Sequence, residues 1–402
     1  MKCAQTINDI PISDVVKDTL YLAVCALRQE EPDAARVGRM ELQKVYRMSK
    51  FHSIEAMTYM ALEKMAYCPF VDSETGREWK KAKERAIRKT MLLDAERGQI
   101  LAELERLGIW YMPLKGSILK DYYPRYGMRQ MGDNDILYDT DRQEDVVTLM
   151  KERGYTVKCI DKNNQDDFLK LPVYNFEMHS VLYAKKSNAA WYAYYRGIKD
   201  RLLRDGQSQY GYRFTDEDFY LYMTAHAYKH YSVEGTGLRA LTDTYAYLSK
   251  KEGTLDWRYV ESEAKKLGIE AFEQNLRELS RKLFDKLSSF ADVLLTPEEQ
   301  TMLADLAGAG VYGTKEKYVE RKKQEYRMGE TQLNFWGKLR YLGRRLFPDM
   351  AWFEKREPFF ARHKILIPFF LVYRMFRHIL FHREWLKREL HILWGGKKKP
   401  QK

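Results

Sequence analysis

Two aspartates, Asp133 and Asp135, stand two residues apart in "MGDNDILYD" at the head of an apolar run, and fifteen residues separate the first from an upstream Gly116-Ser117 pair. In an extended strand, residues i and i+2 project from one face, so the two carboxylates point the same way and repel. A divalent cation relieves that repulsion. Mg²⁺, or Mn²⁺ in its place, favours a few carboxylates together with phosphate oxygens and water, so the pair calls for a phosphate-bearing ligand. Glu177, in "YNFEMHS", is flanked by apolar residues on a later candidate strand and can join the pair in one sheet. Asp133, Asp135 and Glu177 are therefore the candidate metal ligands and catalytic groups, and two ions held there would stabilise both oxygens of an in-line displacement at phosphorus. Gly116 lets the backbone approach a phosphate closely, and Ser117 can donate to it at a helix N-terminus. Phosphoryl or nucleotidyl transfer is the chemistry these parts share.

Other polar residues support more than one reading. Lys115 is either a surface lysine or a cation that neutralises phosphate charge in the transition state. Arg129 either orients an aspartate or contacts phosphate directly. His226 and His230 are four residues apart and share a helix face, which suits a transition-metal site, a polar wall of a nucleotide cleft, or packed structural histidines. Arg239 and Asp243 have the same spacing and are expected to form an ion pair. His179 is expected on the strand face opposite Glu177, which excludes direct cooperation between them.

The elements that must hold these groups follow from the pattern. "IWYMPL" (109–114) predicts a strand, then a tight turn and a short helix closed by Pro124. "NDILYD" (134–139) predicts a second strand, and "TDRQEDVVTLMKERGY" a helix with Thr140 and Gln143 at capping-box spacing. "YTVKCI" (155–160) and "VYNFEMHSVLYA" (173–184) supply two further strands. Upstream, Leu93, Ile100 and Leu104 recur at helical spacing before a stop at Gly108, and the chain reads as helical from its start to about 106. Helices resume after 196, with Thr215 and Asp218 bracketing the start of "TDEDFYLYMTAHAYKHY".

The stretch "LKGSILKDYYPRYGMRQMGDNDILYD" resembles the signature of an uncharacterised bacterial nucleotidyltransferase family in the DNA polymerase beta superfamily: a Lys-Gly turn, a Tyr-Pro step, an arginine and an Asp-x-Asp. Glu177-Met178-His179 is similar to that family's third acidic position followed by histidine. "AHAYKHYSVEGTGLRALTDTYAYL" resembles its helical region, with His226, His230, Arg239 and Asp243 in place. The resemblance implies an α+β fold, a small mixed sheet with flanking helices, with further helical regions at both ends. It also implies metal ligands at Asp133, Asp135 and Glu177 and nucleotide contacts at Lys115, Gly116, Ser117 and Arg129. The remaining cleft would be formed by His179, His226, His230, Arg239 and Asp243. The expected divisions are a helical region at 1–90, the catalytic core at 91–195, a helical domain at 196–314 and a basic, aromatic tail at 315–402. The implied reaction moves a nucleoside monophosphate from a nucleoside triphosphate to an acceptor with release of pyrophosphate. A phosphotransferase or a non-catalytic nucleotide-binding protein would use the same parts.

The formal charge of +12 over 402 residues is unevenly placed. Residues 315–402 hold 23 Lys and Arg against 9 Asp and Glu, a net of +14 that leaves −2 for the rest. The acceptor is therefore expected to be a small molecule, saccharide or protein rather than a long nucleic acid, while the tail suits an anionic partner. After Pro368 a helix would gather Phe369, Val372, Phe376, Ile379 and Leu380 opposite Arg374, Arg377, His378 and Arg388. Such a helix either packs on its own protein or lies at an anionic membrane surface. Four scattered cysteines, Cys3, Cys25, Cys68 and Cys159, form no disulfide framework, and no stretch has the apolar core of a secretory signal or a membrane span. A cytoplasmic protein, with its tail at the inner membrane surface in the second reading, is the expectation.

Overall fold

The computed structural model describes residues 5–6, 12–310 apart from 163, 207, 234 and 286–292, and in the tail 350, 353 and 358–373. The chain divides into two compact units, residues 1–232 with 236–312, and 233–235 with 313–402.

The first unit is built round a five-stranded sheet of β1 (Tyr111–Pro113), β2 (Asn134–Tyr138), β3 (Thr156–Lys162), β4 (Gln165–Lys170) and β5 (Tyr174–His179). Its spatial order is β1-β2-β5-β4-β3. The central β2–β5 pair is parallel and the others antiparallel, which makes a mixed sheet of an α+β protein. The parallel register sets Asp135 opposite Glu177 and Leu137 opposite His179.

Strand alternation then sorts the side chains. Ile136, Tyr138, Phe176 and Met178 pack in one core with Ile100 and Leu104 of α1 (Glu74–Arg106) and with Val146 and Met150 of α2 (Gln143–Glu152). The opposite face carries Asp135, Leu137, Glu177 and His179. Leu137 joins a second core with Tyr220, Leu221 and Tyr222 of α3 (Asp216–Tyr231) and Tyr247 of α4 (Arg239–Lys251). A third core joins Asp14–Arg28 and Glu55–Leu62 to Leu241 of α4 and to helices Glu270–Phe284 and Pro297–Gly308. α3 and α4 are thus anchored from behind while they face the acidic side of the sheet.

Local expectations hold at several ends. Gly108 takes φ +67° just after α1, the left-handed conformation that stops a helix, and Thr215 Oγ1 accepts the Asp218 N–H at 3.1 Å to start α3. The capping box at Thr140 does not form. The Asp139 side chain accepts from the Asp141 N–H instead and opens a 3₁₀ turn over Thr140–Arg142, so α2 begins at Gln143 without a side-chain cap. Strand β5 ends at His179 rather than running to 184, and a two-strand ribbon of Leu203–Arg204 with Tyr212–Arg213 interrupts the stretch expected to be helical. β4 was not expected at all, because "QDDFLK" is mostly polar. Cys25, Cys68 and Cys159 are free thiols.

In the second unit Pro358–Arg362 is helical, and a 3₁₀ turn at Lys364–Leu366 leads into helix at residues 367–373. The expected helix face beyond residue 373, with Phe376, Ile379, Leu380, Arg374, Arg377, His378 and Arg388, lies outside the described residues, as does Cys3. Among the described residues no helix is long and apolar enough to cross a membrane.

Candidate active site

The site is assembled at the end of β1 and the head of β2. Leu114 donates its N–H to the Asp135 carbonyl at 2.9 Å, so β1 stays beside β2 until the chain turns. Lys115 makes the turn with φ +50° and ψ −117°, a region that side-chain-bearing residues rarely enter. That turn starts the short helix Gly116–Leu119 and sends the Lys115 ammonium back to Asp135, where Nζ lies 2.6 Å from Oδ1. A Cβ at Gly116 would stand 2.5 Å from Arg129 Nη1, so only glycine lets the turn and the guanidinium come this close. Ser117 is buried, and its Oγ donates to the Leu114 carbonyl at 2.7 Å.

Asp135 is the most heavily partnered carboxylate on the sheet side of the site. Its Oδ1 also meets His179 Nε2 at 2.8 Å. Burial opposes its charge, but the Lys115 ammonium and the His179 hydrogen bond outweigh burial and hold it below the usual carboxylate range. Glu177, across the parallel register, makes no hydrogen bond among the described residues; His179 Nε2 lies 3.9 Å from its Oε2. Burial, then Asp135 and Asp133, push its pKa up to about 7. Asp133, at the head of β2, also makes no hydrogen bond or ion pair among the described residues and is pushed upward by burial and by Asp135. The expectation that His179 faces away from Glu177 is corrected here: residues 177 and 179 are two apart, so one strand face carries both. Potential ligand atoms of Asp135, Glu177 and His179 all fall within 4.8 Å of one another, whereas Asp133 stands outside that group.

These groups open on a cavity of about 330 Å³ that Lys115, Gly116, Asp133, Asp135 and Glu177 line from the sheet side. α3 and α4 supply its other wall through His226, His230, Arg239 and Asp243. His226 and His230 touch through Nε2 atoms 3.3 Å apart. Burial and nearby lysine charge press both below their ordinary range, His230 to about 4, so both are neutral near pH 7. They belong to no three-residue ligand cluster among the described residues. The ion pair expected between Arg239 and Asp243 is replaced by another. Arg129 grips Asp243 with two hydrogen bonds, Nε to Oδ1 at 2.7 Å and Nη2 to Oδ2 at 3.0 Å, and Tyr123 donates to the same Oδ1 at 2.6 Å. Arg239 turns instead to the Gln130 carbonyl, 2.9 Å from Nη2. Its charge is disfavoured by burial and by Arg129. Reading of individual residues missed Tyr123; the Tyr-Pro step that contains it was the available signal.

The donor set suits divalent metal. Of the three carboxylates that the sheet brings to the cavity, two lack any hydrogen-bond partner among the described residues, and the third is neutralised by a lysine ammonium, a cation already drawn to that place. Asp135 and Glu177 would hold an ion, with Asp133 at the cavity wall beside them and His179 bonded to Asp135 from behind.

A mixed sheet that delivers acidic side chains from two adjacent parallel strands to one cavity, beside a glycine turn at a helix start, defines a nucleotidyltransferase-type core. Residues 39–285 match the model of an uncharacterised nucleotidyltransferase family, and the chain belongs to that family. No curated protein and no solved structure matches it.

Proposed function

We propose that this nucleotidyltransferase moves a nucleoside monophosphate from a nucleoside triphosphate to an acceptor hydroxyl or phosphate in the presence of Mg²⁺ or Mn²⁺. A bond forms between the acceptor oxygen and the α-phosphorus, the bond from that phosphorus to the oxygen bridging to the β-phosphate breaks, and pyrophosphate leaves. The observation that carries this reading is the convergence of Asp133, Asp135 and Glu177 on one cavity, two of them without a hydrogen-bond partner among the described residues.

Divalent metal, when bound, supplies charge neutralisation at the attacking and leaving oxygens. The chain's own groups do the rest. Gly116 presents backbone to the triphosphate at a helix start. The Lys115 ammonium, which lines the cavity 2.6 Å from Asp135, is positioned to meet phosphate charge. Ser117, expected to contact phosphate, does not line the cavity; its hydroxyl, bonded to the Leu114 carbonyl, holds the turn behind Gly116. Glu177, without a hydrogen bond among the described residues and open to the cavity, accepts the proton of an acceptor hydroxyl. His179 fixes Asp135 rather than the substrate, and the Arg129–Asp243–Tyr123 network fixes the turn that carries Gly116.

Incubation with triphosphates labelled at the α- or the γ-phosphorus, together with cell extract as the source of acceptor, tests the reading. Label entering a new product from the α-position only, with stoichiometric pyrophosphate, is the expected result. Transfer from the γ-position would show a phosphotransferase, and metal-dependent binding without any product a scaffold.

A further inference from the structure

The nucleotide cavity shares a wall with another. A second cavity, of about 280 Å³, has Met131, Gly132 and Arg239 in common with the first. Its far side is α1, where Arg85 and Lys89 are four residues apart and so share a helix face, while the short side chains of Ala82 and Ala86 leave the space between α1 and the β2 approach open. Glu55, first residue of helix Glu55–Leu62, completes the lining.

The charges here are unbalanced and incompletely used. Arg85, Lys89 and Arg239 face a single carboxylate. Lys89 Nζ donates to the Gly132 carbonyl at 2.9 Å, and Arg239 spends one nitrogen on the Gln130 carbonyl. Arg85 is exposed and has no hydrogen-bond or ion-pair partner among the described residues. Glu55 Oε2 is buried with no hydrogen-bond partner among them either. An unpaired buried acceptor beside underused guanidinium groups is costly unless a ligand completes it.

We propose that this second cavity is the acceptor subsite and that it takes a small phosphomonoester bearing hydroxyl groups. The guanidinium groups of Arg85 and Arg239 and the Lys89 ammonium match a dianionic phosphate, whose planar, forked recognition by arginine gives both strength and direction. Glu55 Oε2 accepts from a ligand hydroxyl. The shared wall is the backbone immediately ahead of Asp133, so the acceptor's reactive end lies next to the carboxylates. The inference rests on the nucleotidyl-transfer reading of the first cavity and names the second substrate's class.

Calorimetric titration of the full-length protein with glycerol 3-phosphate tests it, with inorganic phosphate and glycerol as separate titrants. Arg85→Ala and Glu55→Gln are compared with wild type after thermal melts show that they fold, and each is also titrated with a non-hydrolysable triphosphate analogue and Mg²⁺. Glycerol 3-phosphate is expected to bind more tightly than phosphate or glycerol, and each substitution to weaken it roughly tenfold while triphosphate affinity stays within about twofold. An equal loss of triphosphate affinity would make the cavity part of the nucleotide site and overturn the proposal, as would wild-type protein that does not bind glycerol 3-phosphate at millimolar concentration. Phosphate binding as tightly as glycerol 3-phosphate would overturn the role of Glu55. Absence of triphosphate binding by wild type, with the phosphomonoester still captured at Arg85, would instead remove the nucleotidyl-transfer reading.

Discussion

At the scale of single residues, the site separates groups that line the cavity with free atoms from groups that hold them. Asp243 is one of the second kind. Its two oxygens satisfy the buried Arg129 guanidinium, so Asp243→Asn would leave a buried cation without its counter-ion. The expected cost is about 3–5 kcal/mol in urea unfolding, with activity lost in parallel; a loss under 1 kcal/mol would mean that the network does not brace the Gly116 turn. Arg129→Lys should fare little better, because an ammonium cannot make the two-pronged contact. That Asp133 and Asp135 line one cavity was legible in the sequence, because strand alternation puts residues two apart on one side. Asp243 as partner of Arg129 was not. The two are more than a hundred residues apart, and helical spacing pointed to the nearer Arg239 instead.

Among the secondary-structure elements, legibility followed the burial pattern. β2 and β5 alternate or run apolar and could be read directly. β4, "QDDFLK", could not, because the groups that hold it are polar: buried Asp166 accepts from the Tyr138 hydroxyl at 2.7 Å, and of the strand's side chains Phe168 is the one in the core. The joint between the N-terminal helices and α4 depends on a group of the same kind. Fully buried His52 accepts the Leu238 N–H at 3.2 Å through Nδ1, which requires a neutral ring. Burial presses its pKa down to about 4, below the usual 6.5 of an unfolded chain. The unfolded state therefore takes up its proton first on acidification, and the stability that neutral His52 contributes is fully present above about pH 6.5 and lost as pH falls through about 4. Between pH 7 and pH 5 this one group should remove about 2 kcal/mol. Urea titrations of wild type and His52→Gln at both pH values check it: the variant should be less stable at pH 7 and lose less on acidification. Identical pH dependence of the two proteins would rule the joint out as the titrating element.

For the whole molecule, the residues matched to the family model, 39–285, contain every part of the candidate site, whereas the excess of positive charge lies in 315–402. Charge of that sign and density predicts adsorption to vesicles containing anionic lipid, release as salt rises from 0.1 M towards 0.5 M, and loss of adsorption when Arg374, Arg377 and Arg388 become Gln. A tail packed on its own protein predicts the reverse: no vesicle binding, and a lower melting temperature when the chain is cut before residue 360. Co-sedimentation and thermal melts of the same samples decide between them. The division between a near-neutral body and a basic tail was legible from composition alone. The third core of the first unit was not, because it joins Asp14–Arg28 to Glu270–Phe284 and Pro297–Gly308, helices far apart in sequence.

The central claim is that the acidic face of the β2–β5 pair performs metal-dependent nucleotidyl transfer, and pyrophosphate release by Asp135→Asn tests it most directly. With folding verified by thermal melting, and Mg²⁺, triphosphate and acceptor extract saturating, the variant is expected to turn over at least about 100-fold more slowly than wild type, and chelation of metal from wild type to stop release altogether. A folded Asp135→Asn protein that releases pyrophosphate at close to the wild-type rate would contradict the account.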